Sequence, residues 1–399
     1  MNNIWQNYKS SILLLAGIIG GGLIGYLWPP AATCLAPIGK IFINIMFVII
    51  VPMIFFSVSA AVSKLTAQSS LSRTLITTAI VVIVLMLLYS VLTYLAMLAY
   101  PPLGSDHSLP TLQQTYGAQQ SPTANMAVDA LSVSDFSQLF STRHILPLII
   151  IAILTGVAAA RLRNNKITAA LDYCNQLMAE MLNCLMLLAP LGLGCYFADI
   201  MSVSAATLVS GYGRATGLYF VIAAIVFFLL NPLCAALSGV GIKDYWRHTV
   251  QPSLLSVSTL SSSACIPSNI KACVNLGCSQ SVAETIIPLG TQLFKQGSVI
   301  SCAVKVAFVI LITGGSLATW QSLLLVVGVG MLASIIVGAI PTGAGTAELF
   351  ICSVLGADPQ LVAMLIVIST LVDIPGTLLN VNGNTILTII INKLIKSDK

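Results

Sequence analysis

A succession of apolar segments, each long enough to cross a lipid bilayer, constrains the fold of this chain more than any other feature. A membrane-spanning helix needs about 20 predominantly apolar residues, and runs of this length recur along the sequence. Before residue 240 they occupy 11–28, 39–62, 74–100, 144–160, 177–201 and 214–238. Since helices satisfy their backbone hydrogen bonds internally within lipid, we predict an all-α polytopic membrane protein.

The composition supports a membrane protein. Only 7% of the 399 residues are Asp, Glu, Lys or Arg, whereas soluble domains contain about a quarter. The ten cysteines form no C-x-x-C pair and no Cys/His spacing typical of a metal site, so no metal is expected. The first apolar segment follows Lys9 as in a signal peptide, but no convincing cleavage site ends it, and we interpret it as the first membrane helix.

The pattern changes beyond residue 240. The segments 247–279 and 320–357 are interrupted at their centres by "TLSSSACIPSN" and "AIPTGAGT", and long apolar stretches follow them at 281–313 and 359–396. The distribution of Lys and Arg places both termini in the cytoplasm only if the interrupted segments enter and leave on the same side. We therefore predict eight transmembrane helices and two re-entrant helical hairpins. Such a pair of interrupted segments is typical of a transporter binding site near the middle of the membrane.

The residues at the two hairpin tips suit a binding site. Irregular backbone at membrane depth must be buried in protein or line a cavity. The hydroxyls of Ser261, Ser262 and Ser263 can satisfy free backbone groups, while Gly343 and Gly345 permit unusual dihedral angles. Each tip also presents free N–H groups at the start of a helix, which suits a ligand carboxylate.

With these motifs, the sequence resembles the dicarboxylate/amino acid:cation symporter family, which has the glutamate-transporter fold. The resemblance covers nearly the whole chain and includes "IGKIFINIMFVIIVPMIFFSV", "ILPLIIIAILTGVA", "APLGLGCYFADIM", "TLSSSACIP", "IPTGAG" and "DIPGTLLNVNGN". It implies a homotrimer in which a scaffold of early helices holds a transport domain that moves like an elevator. We expect helices 1 and 2 in 1–70, helices 3 to 6 in 71–240 with an extracellular loop at 101–143, and the transport core in 241–399.

The resemblance also implies a substrate site between the hairpin tips and the last two helices. Asp373 stands where the family's aspartate holds a substrate amino group, and Thr377 and Asn380 follow on the same helix face. The full set of substrate-binding residues predicted in this way is Ser261, Ser262, Ser263, Ser298, Ile340, Pro341, Thr342, Gly343, Asp373, Thr377 and Asn380.

The chain departs from the family's pattern at charged positions. Gly376 replaces the arginine that binds a distal carboxylate in transporters of acidic substrates. The sodium-binding run Asn-Met-Asp-Gly-Thr reads Phe-Lys-Gln-Gly-Ser at 294–298, and Asn384 replaces a second aspartate. Because sodium prefers clustered oxygens with negative charge and Lys295 repels a cation, we predict that the coupling ion is not sodium; a proton is the alternative.

Lys295, in "PLGTQLFKQGSVI", is the charged group that needs an explanation, since charge at membrane depth is costly. A tethered ammonium there is predicted to pair with Asp373 or Glu348 in place of a dissociable cation. Burial and a neighbouring carboxylate would also let this lysine exchange a proton during transport. The alternative is that it snorkels to an interface or pairs purely for structure. The predicted coupling residues are Lys295, Gln296, Glu348 and Asn384.

The leading functional hypothesis is a secondary transporter of small amino acids or related carboxylates in the inner (plasma) membrane. One alternative is a dicarboxylate or acidic amino acid carrier in which Lys295 binds the second carboxylate, and another is a relative that senses a ligand without transporting it. An enzyme is disfavoured because no nucleophile–base pair is visible. The expected partners are a small substrate, the lipid bilayer and identical subunits, with no cofactor and no nucleic acid.

Overall fold

The structure is a computed structural model that describes residues 2–67, 72–103, 133, 135–141, 145–162, 165–339, 345–358 and 361–397. The secondary structure of this part is helical. The helices before residue 240 are α1 (Asn2–Leu27), α2 (Pro29–Ala67), α3 (Ser72–Ala99), α4 (Phe136–Leu139), α5 (Ile145–Arg161), α6 (Asn165–Met186), α7 (Ala189–Ile225) and α8 (Asn231–Leu237). The later helices are α9 (Ile242–Thr259), α10 (Ile266–Asn275), α11 (Gln280–Leu293), α12 (Gln296–Ile312), α13 (Trp320–Ala339), α14 (Thr346–Val354), α15 (Leu361–Leu371) and α16 (Asp373–Ser397).

Within the described ranges, six helical segments are long and apolar enough to span a membrane, and a bent helix pair makes a seventh. The six segments are Pro29–Ala60, Ile76–Ala99, Gly211–Leu237, Gln280–Ile312, Trp320–Val337 and Asp373–Ile395. The predicted class, an all-α polytopic membrane protein, is confirmed. The finer count of eight spanning helices with two hairpins stays a prediction.

The helices between 165 and 237 differ from the predicted segments. The predicted span 177–201 is divided between α6 and α7, which meet at an angle of 65°. Pro190 lies in the first turn of α7, where its missing N–H is tolerated because first-turn donors have no partner within the helix. The predicted connection around 201–214 is helical, and the π-helical turn Val226–Leu230 joins α7 to α8.

Two helix breaks distinguish the C-terminal part of the chain. The stretch predicted as one helix over 281–313 is two helices, because Phe294 has an extended backbone (φ −124°, ψ 98°) and Lys295 is the N-cap of α12. The last predicted helix, 359–396, is broken at Val372, so Asp373 begins α16. Pro375 follows in the first turn, a position that tolerates proline.

The two interrupted segments contain two further breaks. In the first, α9 is followed by its C-cap Leu260, a left-handed residue with φ 51°, and residues 261–265 form the turn before α10. In the second, α13 and α14 flank residues 340–344, which lie outside the described part of the chain. Helices α9, α11 and α12 pack against α16, while α3 packs against α12, α13 and α16. This packing places the breaks before α12 and α16 next to each other.

Candidate functional site

Asn380 joins the two broken helices. Its Oδ1 accepts hydrogen bonds from the backbone N–H groups of Gly297 (2.9 Å) and Ser298 (3.4 Å) in the first turn of α12. The first N–H groups of a helix have no intrahelical acceptor, so this side chain of α16 acts as the missing cap. The Nδ2 group of Asn380 makes no hydrogen bond to the described residues, and it therefore remains available as a donor.

Gly297 and Gly376 bring the two helices into backbone contact. A Cβ atom added at Gly297 would lie 2.3 Å from the carbonyl oxygen of Gly376. Real Cβ atoms do not approach backbone this closely, so a side chain at this position would force one of the two helices to shift. Glycine at position 297 is therefore a requirement of the site's geometry.

Tyr219 packs beside Gly376. Its hydroxyl donates a hydrogen bond of 3.2 Å to the carbonyl oxygen of Gly297, and it lies 3.2 Å from the point where a Cβ of residue 376 would be. The ring is fully buried. A neutral phenol thus occupies the position toward which any side chain at 376 would project. Sequence reasoning missed Tyr219, whose only signal is a hydroxyl in the apolar run "GLYFVIAAI".

Asp373, the predicted ligand of a substrate amino group, is an exposed residue at the N-terminus of α16. A carboxylate is favourable there because of the partial positive charge at the start of a helix. In the described part of the chain, Asp373 and Lys295 form no contact ion pair. The predicted pairing of these two residues stays a prediction.

The half-buried Lys295 binds the C-terminal end of α13. Its Nζ donates a hydrogen bond of 3.2 Å to the carbonyl oxygen of Val337, close to the C-terminus of α13. The last carbonyls of a helix have no intrahelical partner and carry partial negative charge, so the ammonium is well placed there. This contact argues against snorkelling to an interface.

The alternative pairing of Lys295 with Glu348 is wrong, because Glu348 has another partner. Its Oε1 lies 2.6 Å from the Nζ of Lys305, and the two side chains are only 2% and 3% exposed. Lys305 also donates to the hydroxyl of Ser369 at 2.9 Å. Sequence reasoning missed Lys305, although a lysine within the apolar run "CAVKVAFVI" was a signal of the same kind as Lys295.

Gln296 belongs to a buried, uncharged network. Its amide exchanges two hydrogen bonds with the amide of Asn231, of 2.9 and 3.1 Å, and Tyr89 donates to the same Asn231 oxygen at 3.3 Å. Gln296 and Asn231 are fully buried. The predicted coupling residue Gln296 is thus held by neutral groups from α3 and α8.

Asn384, the other predicted coupling residue on α16, is also buried. Its Nδ2 donates to the hydroxyl of Thr291 at 3.4 Å, while its Oδ1 has no hydrogen-bond partner among the described residues. Groups of three or more His, Cys, Asp or Glu side chains that could hold a metal ion do not occur in the described part of the chain.

The serines of the first tip stabilise its turn. The Oγ of Ser261 accepts a hydrogen bond from the backbone N–H of Ala264 at 3.3 Å. The carbonyls of Ser262 and Ser263 accept 3.2 Å hydrogen bonds from the two following N–H groups at 265 and 266. No hydrogen bond of the Ser262 or Ser263 hydroxyl to another described residue is present, so both are available to a ligand.

The other predicted site residues divide into two groups. Ser298 is half-buried beside Asn380, and Thr377 is buried one turn after Asp373. Ile340, Pro341, Thr342 and Gly343 lie outside the described residues. The structure therefore brings together the start of α12, the start of α16 and the end of α13.

Comparison with known proteins agrees with this architecture. The sequence profile of the sodium:dicarboxylate symporter family matches residues 11–394. The chain is 22% identical to the proton/sodium-glutamate symport protein of Bacillus subtilis (strain 168), over 95% of this chain and 91% of the relative. It is 24% identical to the C4-dicarboxylate transport protein of Rhodospirillum rubrum, over 96% of this chain and 87% of the relative. The resemblance seen in the sequence is confirmed, and the chain belongs to the sodium:dicarboxylate symporter family, a family of membrane transporters and not of enzymes.

Proposed function

We propose that this protein is a secondary active transporter of small amino acids or related carboxylates, and that it is not coupled to sodium. It works as a homotrimer in the plasma membrane with both termini in the cytoplasm, and residues 241–399 carry the substrate by an elevator movement. The observation that carries the proposal is the charge distribution at the site. The formally charged side chains of this region are Asp373 and Lys295. The region comprises the described residues of the first tip, the N-cap of α12 and the first two turns of α12 and α16.

A zwitterionic substrate suits this arrangement. The exposed carboxylate of Asp373 is a partner for an ammonium group. Hydrogen-bond donors for a carboxylate are present at the Nδ2 of Asn380 and at the hydroxyls of Ser262 and Ser263. Hydrogen bonds that involve charged groups are about twice as strong as neutral ones, so these few groups are sufficient to orient a small amino acid.

The surroundings of Gly376 favour a substrate without a distal carboxylate. Glycine offers no counter-charge, and the hydroxyl of Tyr219 lies 3.2 Å from the point where a Cβ would be. A carboxylate that is desolvated without a partner costs several kcal/mol in real proteins (about 3–5 when one member of a buried pair is missing). Acidic amino acids are therefore disfavoured against small neutral ones.

Two features support transport without sodium. The ammonium of Lys295 already supplies a positive charge to the carbonyl oxygen of Val337, as a bound cation would. The amide pair of Gln296 and Asn231 is neutral and internally satisfied. Sodium requires several oxygen ligands and gains most from negative ones, and a nearby ammonium repels it.

A dicarboxylate or acidic amino acid substrate is the second candidate. A lysine ammonium has three donors, and the Nζ of Lys295 uses one of them, for Val337, among the described residues. The remaining donors can bind a substrate carboxylate. The relatives named C4-dicarboxylate transport proteins also favour this possibility.

Uptake into proteoliposomes tests the proposal. Purified protein is reconstituted, and the accumulation of radiolabelled L-alanine, L-serine, L-aspartate and succinate is measured with a proton gradient in the absence of sodium. We expect L-alanine or L-serine to accumulate above the level of protein-free liposomes. Accumulation of only L-aspartate or succinate would establish the second candidate, and binding without accumulation would indicate a sensing protein.

A further inference from the structure

Lys305 forms a buried polar cluster with Glu348 and Ser369 that the proposed transport cycle does not use. The Oε1 of Glu348 accepts from the Nζ of Lys305 at 2.6 Å and from the hydroxyl of Ser369 at 2.5 Å, and Lys305 also donates to the Ser369 hydroxyl. The three residues belong to three helices, α12, α14 and α15. The cluster therefore links three elements through one ammonium group.

The second oxygen of Glu348 extends the cluster to the start of α14. Its Oε2 accepts a hydrogen bond of 2.9 Å from the backbone N–H of Gly345, which has φ +96°. A glutamate three residues after the N-cap stabilises the beginning of a helix in this way. The carboxylate that Lys305 contacts thus also caps the first turn of α14.

The third member connects the cluster with the candidate site. Ser369 lies on α15 one helical turn before Asp373, with the break at Val372 between them. Lys305 therefore contacts the helix that leads into Asp373 as well as the helix that follows the second hairpin tip. The second of these helices, α14, begins directly after the interruption at 340–344, and α15 ends two residues before Asp373.

We propose that Lys305 is a positioning residue: through Glu348 and Ser369, its ammonium holds the start of α14 and the end of α15 in a fixed arrangement beside Asp373. A buried ion pair of this kind contributes little to net stability compared with apolar residues of similar size, but loss of one partner leaves an uncompensated charge. The role of this ion pair is to fix the positions of α14 and α15 relative to each other. Only the uptake test below rests on the proposed function.

Two double variants separate positioning from stability. Lys305→Met/Glu348→Gln and Lys305→Met/Glu348→Leu both remove the buried charges, so neither leaves an unpaired ion. Glutamine keeps an acceptor for the N–H of Gly345, whereas leucine removes it. Amide hydrogen–deuterium exchange over residues 345–350, thermal unfolding and the KM for L-alanine uptake are measured for both variants and for the native protein.

We expect both double variants to fold. Because both lack the ammonium of Lys305, exchange at 345–350 and KM are each expected to be about tenfold higher than in the native protein, and higher still in the leucine variant, which also loses the acceptor for Gly345. Exchange and KM equal to the native values in the glutamine variant would overturn the proposal. If the leucine variant does not fold, Ser369→Ala replaces it, since this change removes only the α15 contact. A raised KM for Ser369→Ala supports positioning, and an unchanged KM contradicts it. If the native protein transports neither L-alanine nor L-serine, the proposed function fails, and the exchange comparison still decides this inference.

Discussion

The ammonium of Lys295 donates a hydrogen bond of 3.2 Å to the carbonyl oxygen of Val337, near the C-terminal end of α13. The chain thus carries its own cation between the break before α12 and the end of α13. Because the cation is covalently attached, it does not depend on the concentration of an ion in solution.

Replacement of Lys295 by methionine removes this cation while keeping a side chain of similar length. We expect uptake to fall by about tenfold or more, since a charge-assisted hydrogen bond contributes roughly 1.5–3 kcal/mol. Initial uptake rates in proteoliposomes measure the effect. The matched control is Lys393→Met, because Lys393 also donates to a backbone carbonyl, that of Leu237 at 2.7 Å, but is exposed outside the site. Equal losses in the two variants would contradict a specific role of Lys295.

Replacement of Asp373 by asparagine keeps the shape of the side chain and removes its charge. We expect amino-acid uptake to be abolished, with the protein still folded, because an ammonium group loses its charged partner. Uptake and thermal unfolding are measured together. Asp244→Asn is the control, since Asp244 also lies in the first turn of a helix but not near the site. An unchanged affinity in Asp373→Asn indicates a substrate without an amino group.

Competition by acidic compounds tests the neutral surroundings of Gly376. We expect unlabelled L-serine to inhibit L-alanine uptake at concentrations at least about tenfold lower than L-aspartate or succinate, because an unpaired carboxylate is costly to desolvate. Half-inhibitory concentrations at fixed pH give the ranking. Strong and selective inhibition by L-aspartate would reverse this conclusion and assign Lys295 to the substrate carboxylate.

The backbone contact between α12 and α16 predicts a large effect of Gly297→Ala. The added Cβ would lie 2.3 Å from the carbonyl oxygen of Gly376, and overpacking of this kind costs about 1–3 kcal/mol. The melting temperature in detergent and the uptake rate both should fall. Gly328→Ala is the control, because a Cβ at Gly328 in α13 meets nothing within 4 Å. Similar melting temperatures of the two variants would show that the helices do not approach as described.

Much of the architecture could be predicted from the sequence, because it follows from local patterns. Long apolar runs predicted the membrane helices, and "TLSSSACIPSN" predicted the turn that the structure shows at 260–265. The lysine at 295 was recognised as exceptional because charge among apolar residues is rare. Asp373 was assigned from the family motif that surrounds it.

The remaining features depend on packing between distant segments. The break at Phe294 and Lys295 is stabilised by Asn380 from another helix, and nothing in the apolar run itself indicated it. The partner of Glu348 is Lys305 because α12 and α14 pack together, a relationship that spacing along the chain does not reveal. Tyr219 enters the site for the same reason.

The dependence of L-alanine or L-serine uptake on sodium tests the central claim most directly. Initial uptake rates are measured in proteoliposomes containing native protein, first in sodium chloride and then in choline chloride, at the same pH and ionic strength. If Lys295 replaces a bound cation, the two rates are equal within error, and Lys295→Met lowers both. A steep rise of uptake or substrate affinity with sodium concentration in the native protein would contradict the tethered cation.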